Sequence, residues 1–151
     1  MDFQVLQAES KDSSAIASLF NEYRMFYEQD SNIDLALSFI QARLLSKESV
    51  IFYAVSSSSS DYLGFTQLYP SFSSVSAQRT WILNDLYVCE AARKQGVARA
   101  LMLKARDFAI SQQAKSISLM TARDNVNAQA LYESLGFVRD QQFYSYSLSL
   151  K

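Results

Sequence analysis

After a short alternating piece near Phe3 to Leu6, read as a first strand, apolar residues fall at Ile16, Leu19, Phe20, Tyr23, Phe26 and Tyr27, a helical spacing with Asp12 or Ser13 available as its cap, and predict a helix over about 12–28. A weaker pattern through Ile33, Leu37, Ile40 and Leu44 predicts a second helix. The apolar run VIFYAV (50–55) then reads as a buried strand, and the polar stretch 56–61 as the hairpin loop that closes it. YLGFTQLYP and RTWILNDLYVC read as two further antiparallel strands, separated by a polar reversal at SFSSVSAQ. From Gly96 the period returns to that of a helix, with Val97, Leu101, Ala105, Phe108 and Ala109 on one face. SISLMT alternates as a strand, and NVNAQALYESLGF reads as a short helix closed by Gly136. FYSYSLSL alternates strictly, so Tyr144, Tyr146, Leu148 and Leu150 share one face of an expected last strand.

The order β-α-α-β-β-β-α-β-α-β predicts an α+β architecture, a mixed sheet with helices packed on it. With 151 residues, 49% hydrophobic and 19% charged, the chain is expected to form a single domain over 1–151 with a sizeable core. A formal net charge of -1 offers no broad attraction for nucleic acid or an anionic membrane, so any basic site must be local. The chain has no histidine and one cysteine, Cys89. Ser-His-Asp and Cys-His nucleophilic catalysis are thereby excluded, no metal site is expected, and Cys89 reads as a packing residue. No apolar run has the length of a signal peptide or a membrane span, and a soluble cytoplasmic protein is expected.

Glycine occurs only three times, which points to a backbone reason for each, and the one at RKQGVARAL opens a helix. The first amides of a helix have no internal partners and the macrodipole places about half a positive charge there, so such a corner suits phosphate or carboxylate. Arg93, Lys94 and Arg99 add side-chain charge at the same place. A solvated turn is the plain alternative. Neither G-x-x-x-x-G-K-[ST] nor G-x-G-x-x-G is present, which removes the main support for nucleotide hydrolysis or hydride transfer.

LYVCEAARKQGVARALM resembles the acetyl-coenzyme A pyrophosphate loop of the GNAT superfamily of N-acetyltransferases, R/Q-x-x-G-x-G/A, met here by Arg93, Gly96 and Ala98. DNVNAQALYESLGF is similar to that superfamily's second coenzyme motif, met by Asn125, Ala128, Leu131, Tyr132, Gly136 and Phe137. WILNDLYV resembles, more loosely, the diamine acetyltransferase-like branch. The resemblance implies the GNAT fold, a mostly antiparallel twisted sheet of six to seven strands flanked by four helices. It implies acetyl-coenzyme A as the acetyl donor. Leu86, Tyr87 and Val88 would run beside the pantetheine arm, with the Val88 N–H facing the thioester carbonyl. Arg93, Lys94, Gln95, Gly96, Val97, Ala98 and Arg99 would cradle the pyrophosphate. Asn125 would hydrogen-bond the pantetheine, Ala128 would allow close packing, and Tyr132 would stand at the general-acid position.

The expected acceptor is a primary amine of a small molecule, such as a polyamine or an amino acid. A protein lysine or N-terminus is the alternative, and a non-catalytic acyl-coenzyme A sensor is the rival of a different class. Tyr23, Tyr27, Tyr69, Phe72 and Trp81 are candidates to line the acceptor cleft through their ring faces, with Asn84 and Asp85 beside them. An amine of pKa near ~10.4 must lose a proton before attack. Asn84 is no base, and strand alternation points Asp85 to the opposite face, so a water chain or Glu90 is left to serve if Asn84 faces the acceptor. The resemblance also implies a homodimer.

Overall fold

The computed structural model describes residues 2–151, and the elements up to Ser111 form close to where the pattern of the chain puts them. Strand β1 (Phe3–Gln7) leads through a 3-10 turn at Ser10–Asp12 into α1 (Ser13–Phe26), followed by α2 (Ile33–Leu45). Glu9 and Asp12 form a reciprocal capping box at that entry, and the Asn32 side chain accepts from the Leu35 N–H at the start of α2, 3.1 Å. Strands β2 (Val50–Ser56), β3 (Tyr62–Ser73) and β4 (Gln78–Val88) then run antiparallel, and α3 (Val97–Ser111) returns the chain to β5 (Ile117–Ser118), parallel to β4. The sheet order is β1-β2-β3-β4-β5. The reversal expected over the whole of SFSSVSAQ shrinks to four residues, because both strands of the β3–β4 hairpin continue into it, to Ser73 and from Gln78.

Each face of this sheet buries its own side chains. On one face Phe65, Ile51 and Tyr53 pack with Ile16, Phe20 and Ile40 from α1 and α2. On the other, Phe108 of α3 stands edge-on to Phe52 and Trp81, with ring centroids 5.5 and 5.1 Å apart. Strict alternation would hold β4 to one assignment of faces along its length, but the register breaks. Gln67 pairs with Asp85 and Leu68 with Leu83, which leaves Asn84 as the extra residue of a β-bulge. Trp81 and Leu83 therefore face α3, whereas Asp85 and Tyr87 face α1.

The chain divides into two compact units, Met1–Leu119 and Met120–Lys151. The second unit carries α4 (Val126–Ser134), and none of its described residues is buried. Among the described residues five strands form where six or seven were expected. SISLMT yields only the two residues of β5, which ladder to Trp81 and Ile82 just before the bulge bends β4. FYSYSLSL forms no strand: alternation is necessary for a half-buried strand but a ladder partner is also required, and the segment pairs with no strand among the described residues. Tyr144, Tyr146, Leu148 and Leu150 are all exposed.

Candidate active site

The corner at Gly96 is built by two buried pins and the exposed loop between them. Ala92 and Val97 are fully buried, while Arg93, Lys94, Gln95 and Gly96 face solvent. Lys94 and Gly96 adopt left-handed conformations, φ 62° and 84°. A left-handed residue directly before a right-handed helix turns successive N–H groups toward one side, which is how backbone makes a concave anion site. No side chain caps α3, and a Cβ built on Gly96 would meet no atom within 4 Å. Packing against the protein therefore does not explain this glycine; the positive φ and the open space beside the helix terminus do. The residues fit a pyrophosphate.

One of the basic residues there also ties the protein together. Arg93 donates through Nε to the Val88 carbonyl at 2.9 Å, and its guanidinium lies 5.7 and 5.8 Å from the ring centroids of Phe26 and Tyr87. This residue ties the end of β4 to the loop and to α1. Gln95 donates to the Ala91 carbonyl at 3.2 Å. Among the described residues Lys94 makes no ion pair, so it is the loop cation least committed to the protein.

Beside the corner, one edge of β4 is open. The Cys89 N–H donates to Leu63 of β3 at 2.9 Å, so by alternation the N–H and C=O of Val88 point to the opposite edge. There β5 pairs only with Trp81 and Ile82, and among the described residues no strand pairs with β4 from Leu83 to Val88 on that side. Leu86, Tyr87 and Val88, half-buried, present this edge. An extended arm carrying amide groups can complete it as an added strand.

On the α1 face, the bulge brings together a polar cluster inside apolar surroundings. Asp85 is only 5% exposed and accepts from Gln67 Nε2 at 2.6 Å and Asn84 Nδ2 at 3.2 Å, and the Tyr23 hydroxyl is a third donor. Gln67 is held in turn by the Ser49 hydroxyl, which donates to its Oε1 at 2.8 Å. Burial raises the Asp85 carboxyl above the ordinary carboxylate range, outweighing the hydrogen bonds that lower it. Burial also raises Tyr69, to about 12, and the negative charge of Asp85 adds to that rise while Arg43 opposes it. Tyr23 is raised as well, first by burial and then by Asp85.

A raised carboxyl has a thermodynamic consequence. Because the native pKa lies above the unfolded one, the stability from the neutral carboxyl is complete below the ordinary carboxylate pKa and is lost as pH rises through the native value. The melting temperature of Asp85→Asn is accordingly expected to gain on that of the parent protein as pH rises across this window, and then to hold a constant difference. Thermal melts across the acid range check this, and a gap that moves the other way would contradict the assigned direction.

In the second unit, Asn125 caps α4, its Oδ1 accepting from the Ala128 N–H at 3.4 Å. The helix ends in a Schellman motif, with the Phe137 N–H donating to the Tyr132 carbonyl at 3.1 Å, the Gly136 N–H donating to Glu133 at 3.1 Å, and Gly136 at φ 94°. The accompanying contact is Phe137 against Tyr132, rings 6.1 Å apart. L-Y-x-x-x-G-F is thus a local device that fixes the half-buried ring of Tyr132.

Of the residues expected at the acceptor, Asp85 and Tyr69 lie on the α1 face of the sheet, and Tyr27 stands against Tyr23 with centroids 5.2 Å apart. Trp81 does not join them: it packs on Phe108, on the α3 face, because it lies on the other side of the bulge. Asn84 is the exposed bulge residue. Cys89 packs against the α1 core, as a structural cysteine does. The sequence reading missed Gln67 and Ser49, whose one signal is a glutamine set among apolar residues in YLGFTQLYP.

Comparison with known proteins places these features in context. Residues 14–137 match the Acetyltransferase (GNAT) family. The chain is 44% identical over 146 residues to the uncharacterized N-acetyltransferase YhfO of Bacillus subtilis (strain 168), covering 97% of each. A probable acetyltransferase of Haemophilus influenzae is 32% identical over 147 residues, covering 97% of this chain and 98% of the relative. A crystal structure of a probable acetyltransferase superposes with a TM-score of 0.93 at 43% identity, covering 98% of both chains.

Proposed function

The chain belongs to the GNAT acetyltransferase family and is an acetyl-coenzyme A-dependent acetyltransferase; from that premise we propose that it acetylates the primary amine of a small molecule, a polyamine or an amino-acid-like compound, with Tyr132 as general acid. The observation that carries this reading is the continuity of the open Gly96 corner with the unpaired edge of β4. Amides from Gly96 to Arg99, with Lys94, hold the pyrophosphate of the donor. The edge of β4 aligns the arm, and the Val88 N–H receives the oxyanion as the amine nitrogen bonds to the carbonyl carbon. The C–S bond then breaks, and the Tyr132 hydroxyl supplies the proton that the departing sulfur needs. Asp85 takes the role left open between a water chain and Glu90: its carboxylate draws the ammonium in and takes the proton that frees the amine for attack, and the second N–H proton, lost from the tetrahedral adduct, passes through solvent to restore the Tyr132 phenol.

A small acceptor is favoured by the burial of Asp85, because a carboxylate only 5% exposed is reached by a slender amine more readily than by a folded surface. A panel of amines, polyamines and peptides incubated with acetyl-coenzyme A, read by free-thiol release, tests this. Turnover of amines is expected, and acetylation confined to peptides would refute it.

We infer also that the protein is a homodimer in which a second copy covers the face carried by Tyr144, Tyr146, Leu148 and Leu150, which are 85–91% exposed. Sedimentation equilibrium is expected to give a dimer that Tyr146→Ser with Leu148→Ser shifts toward monomer. A parent protein that sediments as a monomer would contradict it.

A further inference from the structure

We propose that the acceptor carries a carboxylate, or a comparable small anion, and that Arg43 and Lys47 hold it; this inference rests on the amine-acetylating reading above. Beyond Tyr69 the α1 face of the sheet opens into a broad, shallow depression of about 650 Å³, lined by Phe39, Arg43, Lys47, Glu48, Tyr69 and Pro70. Two cations and one carboxylate leave this depression one positive charge. A polyamine would meet repulsion there, and an amine bearing a carboxylate would meet a partner.

Arg43 is pre-set for that partner. Its Nε donates to Glu48 at 3.1 Å and its guanidinium lies 4.6 Å from the Phe39 ring centroid, which together fix the plane of the group. Among the described residues its two terminal nitrogens donate to no acceptor, and Lys47 makes no ion pair. A guanidinium held at one edge and open at the other is suited to a carboxylate, which accepts two parallel N–H bonds in the same plane.

The depression adjoins the amine-binding residues through shared elements. Tyr69 forms its wall and stands two residues along β3 from Gln67, the cross-strand partner of Asp85 and on the same face, a separation of roughly 7 Å. Glu48 at the rim precedes Ser49, whose hydroxyl holds Gln67, which donates to Asp85. The Tyr69 hydroxyl feels both ends of this arrangement, the negative charge of Asp85 and the positive charge of Arg43. A molecule with an amine at Asp85 and an anion at Arg43 would lie along Tyr69.

The alternative is that Arg43 and Glu48 form an ordinary surface ion pair, which is worth little and reads nothing. Matched acceptors separate the two: α-, β- and γ-amino acids, each assayed against the amine lacking its carboxylate, with spermidine as the polyamine. The best amino acid is expected to exceed its decarboxylated partner in kcat/KM by about tenfold or more, the scale of a charged bidentate contact. Arg43→Gln should raise KM for that amino acid by about tenfold, leave kcat within about twofold, and leave the plain amine unchanged. Arg43→Lys, which keeps the charge but not the fork, should recover only part of the loss, and Glu48→Gln should keep the preference. Plain amines or spermidine used as well as the amino acids, or an Arg43→Gln loss shared equally by both members of a pair, would overturn the inference. Absence of turnover on every amine, with acetyl-coenzyme A binding intact by calorimetry, would overturn the amine-acetylating reading beneath it.

Discussion

Gly96→Asp is expected to abolish measurable binding of acetyl-coenzyme A, a loss of at least a hundredfold by titration calorimetry. The reason is the ligand's charge and not the fold. Aspartate is among the better residues to precede a helix, and its charge complements the positive end of the macrodipole. The left-handed backbone at φ 84° costs a non-glycine residue about 1–2 kcal/mol, and a Cβ there meets no protein atom. The folded protein should therefore tolerate the substitution, with a modest fall in melting temperature. What it adds is a carboxylate directed into the space where the donor's phosphates are held by backbone amides. Gly96→Ala separates the terms, because it carries the same backbone strain and adds no charge. Alanine is expected to weaken binding by about tenfold or less, and equal losses in the two variants would mean that strain and crowding, not charge, govern this corner. Near-normal affinity in Gly96→Asp would remove the corner from the site altogether.

That corner was legible in the sequence because its physics is local. A rare glycine, flanking basic residues and a helical apolar period beginning at Val97 together specify a turn with free amides, and no long-range contact is needed to read them. The same holds at the other end of the motif pair, where Asn125 caps α4 and Gly136 closes it, both through bonds within five residues. The helices and the three central strands were legible for a related reason, since their burial writes a period onto the chain.

The bulge was not legible. One extra residue at Asn84 has no compositional mark, yet it reverses the parity of β4, separating Trp81 from the acceptor face and placing Asp85 on it. Perfect alternation predicted the opposite side for Asp85 relative to Asn84 and so left the base without a residue. The polar cluster was missed for a second reason, that Ser49, Gln67 and Asp85 come from distant positions and are joined only by the register of β2, β3 and β4. Arg93 matches the pyrophosphate pattern, and the structure adds a bond that the motif does not spell out, from its Nε to the Val88 carbonyl. The final segment shows another limit, because FYSYSLSL carries the period of a strand and pairs with no strand among the described residues.

Tyr132→Phe is expected to lower kcat by about 10²–10⁴ while leaving the affinity for acetyl-coenzyme A within about twofold. The substitution keeps the ring and the printed contacts that place it: the Schellman bonds are made by backbone, and Phe137 meets the ring itself. If Tyr132 were only a packing residue, loss of the hydroxyl would cost about 1 kcal/mol of stability at most and kcat would stand. Single-turnover thiol release measures the chemical step, and calorimetry measures binding separately. An acyl donor whose thiol is more acidic needs less help in leaving, so the deficit of the variant should shrink with such a donor. A deficit that is independent of the leaving group would assign Tyr132 to positioning, and an unchanged kcat would return the residue to packing and leave the departing sulfur to be protonated by solvent.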